Sequence, residues 1–70
     1  MAGLYDYVEL TAPAGGWPPG TRGHLIEIHP EGVGLVEVDG AAESDRSALD
    51  FLPEVQIATL HVLAPARPPA

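Results

Sequence analysis

The sequence predicts a small all-β domain, a five-stranded antiparallel barrel. Three observations lead there. Seventy residues leave room for one compact domain and a limited core. No segment sustains a 3.6-residue apolar period, whereas several short segments alternate with period two. Eight glycines and eight prolines punctuate the chain into pieces too short for helices of ordinary length. Closing five such strands into a barrel disposes of sheet edges without extra residues.

In chain order, Leu4 to Leu10 reads as the first strand, with Asp6 interrupting its apolar face. Thr11 to Gly20 (TAPAGGWPPG) is a loop, because proline removes backbone donors and paired glycines favour turns. Arg22 to Asp39 is an antiparallel hairpin folded about Pro30-Glu31-Gly32, where glycine supplies a positive φ. Strict alternation places His24, Ile26 and Ile28 on one face and Leu25, Glu27 and His29 on the other. On the partner strand Val36 and Val38 oppose Leu35 and Glu37 in the same way. Residues 40–47 (GAAESDRS) form a small polar loop. Ala48 to Ile57 is extended and interrupted by Pro53 as at an edge or bulge. A single 3₁₀ turn at Ala58-Thr59-Leu60 leads to a last strand at His61-Val62-Leu63. The domain spans residues 1–64, and 65–70 form a proline-rich tail. Val8, Leu10, Ile26, Ile28, Val36, Val38, Phe51 and Leu60 are the expected core.

Charge narrows the function classes. Ten carboxylates face three arginines and no lysine, a net charge of −7. Nucleic-acid binding draws on Lys and Arg neutralising phosphates, and anionic lipid makes a similar demand. Neither partner is expected. An acidic field favours basic proteins, and it also serves solubility alone. With no cysteine there is no disulfide, thiolate zinc site or cysteine nucleophile. No apolar run is long enough for a membrane span. The first residues, MAGLYDYVEL, lack the basic and apolar regions of a secretory signal. A cytoplasmic location is the expectation.

Pro19-Gly20-Thr21-Arg22-Gly23-His24-Leu25-Ile26-Glu27-Ile28, then Gly32 and Leu35-Val36-Glu37-Val38, resemble the glycine-led hairpin of KOW-type and related SH3-like barrels. Over about residues 5 to 63 the chain is similar to a bacterial family of short SH3-like proteins of unknown function. Members of that family often stand beside toxin–immunity or other small accessory genes. The resemblance implies an SH3-like barrel and an accessory or immunity role. Gly3-Leu4-Tyr5-Asp6-Tyr7 also resembles the opening signature of signalling SH3 domains. Those domains carry a tryptophan pair on the third strand and a tyrosine before the last. Here Trp17 lies too early and Ile57-Ala58-Thr59-Leu60 has no tyrosine, so polyproline recognition is not expected.

No catalytic or metal constellation is legible. His24 and His29 fall on opposite faces under strict alternation, and no zinc spacing includes His61. Ser44 and Ser47 lie in the loop Glu43 to Ser47 with no elbow glycines or base. Glu27 and Glu37 are expected near each other across the hairpin, as a solvated acidic face. No cofactor is expected. The candidate partner-binding residues are Tyr5, Tyr7, Trp17, Leu25 and Leu35, an apolar patch rimmed by Glu9, Glu27 and Glu37. Trp17 equally suits capping one end of the core. The function expected is a non-enzymatic protein-binding module, immunity- or antitoxin-like or a small subunit of a bacterial complex. Its partner is another protein with a basic surface, a homo-oligomer being a second possibility. The alternative is a KOW-like accessory of ribosome or transcription machinery that contacts RNA.

Overall fold

A computed structural model describes residues 1–40 and 53–66. It contains strands β1 (Tyr7–Leu10), β2 (Arg22–His29), β3 (Val33–Val38), β4 (Glu54–Gln56) and β5 (Leu60–Ala64). They form one antiparallel sheet in the order β4-β3-β2-β1-β5. A 3₁₀ turn, Ile57–Thr59, joins the two outermost strands. It starts one residue earlier than the sequence reading, and β5 is correspondingly longer at both ends.

That short link dictates the shape of the sheet. Laid flat, four strand spacings would hold β4 and β5 about 19 Å apart. Gln56 to Leu60 reaches at most about 14 Å even if fully extended. The sheet therefore curls, although no ladder joins β4 to β5 among the described residues. Val8, Leu10, Leu25, Val36, Val55 and Ile57 line its concave side as one buried cluster, with Ala2 added from the N-terminal segment. Leu60, Val62, Ala14 and Trp17 are partly buried against it.

Two corrections follow from local backbone geometry. The first strand begins at Tyr7, not Leu4. Tyr5 has φ 69°, and Asp6 turns the chain back by accepting from the Gly3 amide at 2.7 Å. Leu4 and Tyr5 are consequently exposed, 44% and 59%. The second correction is at Ile26. Leu25 pairs with Val36, but Glu27 pairs with Leu35, so Ile26 is an extra residue, a β-bulge. The bulge reverses the in–out alternation expected for the first half of β2. Leu25 is fully buried, Ile26 is intermediate and Ile28 is 45% exposed. Val8, Leu10, Val36 and Val38 are buried as expected, and Leu60 is half-buried. Phe51 and the first half of the extended segment expected over Ala48 to Ile57 lie outside the described residues.

The Thr11–Gly20 loop holds a small hairpin of its own. Ala14 and Trp17 exchange both backbone hydrogen bonds, at 3.0 and 2.8 Å. Gly15 and Gly16 between them have φ 53° and 83°, the left-handed pair of a type I′ turn. A Cβ on Gly15 would stand 2.8 Å from the Cβ of Pro53, so this turn packs onto the entry to β4. Trp17 thus lies at the edge of the core.

Asp6 clamps both ends of the described chain. Besides the Gly3 amide it accepts from the Ala66 amide at 2.8 Å. Those two backbone donors, Gly3 foremost, hold its carboxyl below the ordinary value of 3.8. A carboxyl depressed on folding stabilises the fold above its unfolded pKa, and loses that effect as pH falls through the folded value. Amide exchange at Gly3 and Ala66 is therefore expected to accelerate, relative to the β2–β3 ladder, as pH drops below 3.8. Asp6→Asn should show the faster exchange already at neutral pH.

Candidate functional site: the outer face of the sheet

The register arranges the convex side of the sheet in rows. Tyr7 on β1 stands opposite His24 on β2, which stands opposite Glu37 on β3. One row along, past the bulge, Glu27 faces Leu35, and Leu35 faces Glu54 on β4. On the other side, Arg22 faces Glu9, and Glu9 faces His61 on β5. Asp39 continues β3 beside Arg22, its amide donating to the Arg22 carbonyl at 2.9 Å.

Hydrogen bonds hold several of these groups in place. The Tyr7 hydroxyl donates to Asp39 Oδ2 at 2.5 Å, and this bond to a carboxylate pushes the phenol pKa up. The Tyr7 and His24 rings lie 5.0 Å apart, tilted by 46°. Arg22 Nε donates to Glu9 Oε1 at 3.2 Å. His29 Nε2 lies 3.0 Å from Glu27 Oε1. The Glu27 contact raises the pKa of His29, burial opposes it, and the fields of Glu27, Glu31 and Glu54 add to the rise. These pairs are exposed and contribute little stability. Their consequence is local: five carboxylates share the face with one guanidinium, which Glu9 already engages.

The expected partner-binding patch is split by this geometry. Leu25 belongs to the core and cannot touch a partner, because the bulge turns it inward. Trp17 is half-buried at the core edge, and Tyr5 is exposed on the N-terminal turn. Tyr7, Glu27, Leu35 and Glu37 do share the outer face, with Glu9 as a neighbour. Leu35 is half-buried, bracketed by the two glutamates opposite it. Glu27 and Glu37 do not face each other, since their partners are Leu35 and His24. His24, Glu54 and Asp39 are members that strict alternation missed or left unassigned.

The same bulge places His24 and His29 on one face, not two. Their partners Glu37 and Val33 are four residues apart on β3, which separates the rows by about 14 Å. No group of three or more metal-ligating side chains exists among the described residues. Ser44 and Ser47 lie outside them. A shallow groove of about 160 Å³ runs between Pro13-Ala14 and β4, lined by Leu10, Val55 and Thr59. Ligand pockets commonly hold about 300–1,000 Å³, so this groove is small for one. No helix among the described residues is long and apolar enough to cross a membrane.

Comparison with protein-family models, curated proteins and solved structures found no match to this chain.

Proposed function

We propose that the chain is a non-enzymatic protein-binding module whose outer sheet face receives a partner with a basic surface. The observation that carries this reading is the make-up of that face: Leu35 and the Tyr7–His24 ring pair stand among Glu9, Glu27, Glu37, Asp39 and Glu54. Apolar and aromatic groups supply contact area, and a carboxylate rim selects cationic neighbours and speeds their approach. A second copy of the chain would bring like charges together, so a basic partner fits better than self-association. An immunity, antitoxin or accessory-subunit role in the bacterial cytoplasm agrees with such a surface.

The proposed architecture is an SH3-like barrel. Supporting it are the strand order, the bulge in β2, and the three-residue 3₁₀ link that pulls β4 towards β5. KOW-like RNA contact is the competing reading for such a barrel. It asks for a basic stripe, and Arg22, the arginine among the described strands, is spent on Glu9. Fluorescence anisotropy with single- and double-stranded RNA at physiological salt is expected to detect no binding. Submicromolar affinity would overturn the protein-module reading in favour of the RNA one.

A further inference from the structure

We infer that Tyr7, His24, Glu37 and Asp39 form a seat for an arginine side chain of the basic partner. This inference rests on the docking reading above and assigns its central contact. The four residues occupy adjoining positions on the convex face, three of them in one cross-strand row. The Tyr7 ring is held at one end by its hydroxyl bond to Asp39 and meets the His24 ring at 5.0 Å. The Tyr7 ring is half-buried and already held between β1 and Asp39 at the end of β3, so a cation stacking against its accessible part meets a side chain with less ordering left to lose. Glu37 is exposed opposite His24, and its carboxylate makes no hydrogen bond or ion pair among the described residues. Its carboxylate is therefore free to receive a cation laid on the rings, and Asp39 reinforces it from the next position.

Arginine suits this arrangement better than lysine. A planar guanidinium stacks on aromatic rings while its edge donates two parallel hydrogen bonds to a carboxylate. An ammonium is a strongly hydrated point charge that gains less from a ring face. The remaining outer-face carboxylates are differently committed. Glu9 holds Arg22 and Glu27 holds His29, and Glu54 lies beyond Leu35 with no aromatic opposite it.

Titrating the intact protein with hexa-arginine and hexalysine at physiological salt, by calorimetry and by NMR, tests the seat. Hexa-arginine is expected to bind more tightly than hexalysine. Glu37→Gln should weaken it about tenfold, as loss of a charge-assisted pair implies. Glu31→Gln, which removes the same charge from the β2–β3 turn, should change it less than about twofold. Tyr7→Phe keeps the ring and loses only the bond that orients it, so it should weaken binding less than Tyr7→Leu, for which a loss of about three- to tenfold is expected. Circular dichroism establishes that each variant folds. If Glu31→Gln weakens binding as much as Glu37→Gln, or the two peptides bind alike, a diffuse acidic field is at work. That result overturns the seat and leaves the docking reading standing. If neither peptide binds, the seat is overturned and the docking reading falls with it.

Discussion

Replacing Gly23 by alanine is expected to destabilise the protein by about 2–3 kcal/mol, the upper part of the range for overpacking a tight site. Gly23 sits in β2, paired with Val8 on one side and Val38 on the other. A Cβ there would lie 2.2 Å from the Glu37 carbonyl oxygen and 2.9 Å from Val36 Cγ1. The first obstacle is backbone in the middle of a ladder, which cannot rotate aside. Relief requires β2 and β3 to part, at the cost of hydrogen bonds and of the packing between Leu25 and Val36. In a domain this small such a loss lowers the melting temperature by roughly 10–20 °C. Gly32→Ala makes a useful contrast. Its Cβ would meet open space, but its φ of 83° strains an alanine. The expected cost there is about 1 kcal/mol, from backbone strain alone. Denaturant unfolding of both variants, with unchanged slope, gives the comparison.

Leu25→Ala is the second large expected effect, at about 2–5 kcal/mol for a fully buried leucine. Ile28→Ala, at a position 45% exposed, should cost less than about 1 kcal/mol. Regular alternation along β2 predicts the opposite ranking, with Ile28 in the core and Leu25 on the surface. A small loss at Leu25 in denaturant unfolding would therefore contradict the bulge at Ile26, whatever Ile28 shows. Val36→Ala should fall between the two, at about 1–3 kcal/mol, since Val36 is buried under either pattern.

These variants also mark how much of the fold is legible in the sequence. The hairpin is, because two period-two runs flank Pro30-Glu31-Gly32, and Gly32 takes the positive φ its turn needs. The inward valines of β3 follow from the same period, uninterrupted by any bulge. Turn chemistry also makes the 3₁₀ link legible to within one residue. What escapes is a property of pairing rather than of either strand. Ile26 is as good a strand residue as its neighbours, and nothing in its side chain announces that β3 will skip it. The evident cause lies on the opposite strand. Gly34 leaves no side chain at the place where the Glu27 carbonyl and Leu25 Cδ1 approach within 2.6 and 2.7 Å of where its Cβ would be. A glycine within a strand is a signal of a bulge or a close backbone approach, and Gly34 is that signal.

The candidate site inherits this error and its remedy. One slip in alternation moves Leu25 into the core, brings His29 onto the face of His24, and leaves Leu35 flanked by Glu27 and Glu54. Composition already leads one to expect an acidic outer face, because ten carboxylates against three arginines leave carboxylates on most surfaces. Which of them stand beside an aromatic ring depends on register, and register here depends on the bulge. The type I′ turn at Gly15-Gly16 was available from its glycine pair. Its role in seating Trp17 at the core edge needed Pro53, 38 residues further along, to pack against it.

The proposed docking face is tested most directly by methyl-resolved NMR of the protein titrated with hexa-arginine. Leu35 and Leu25 lie on opposite sides of the same β2–β3 ladder, one on the outer face and one fully buried. The Leu35 methyls and the ring protons of Tyr7 and His24 are expected to shift with peptide, while those of Leu25 and Val8 stay in place. Shifts confined to Leu10 and Val55, beside the groove at Pro13-Ala14, or absent from Leu35, Tyr7 and His24 alike, would contradict the outer face as the site of docking.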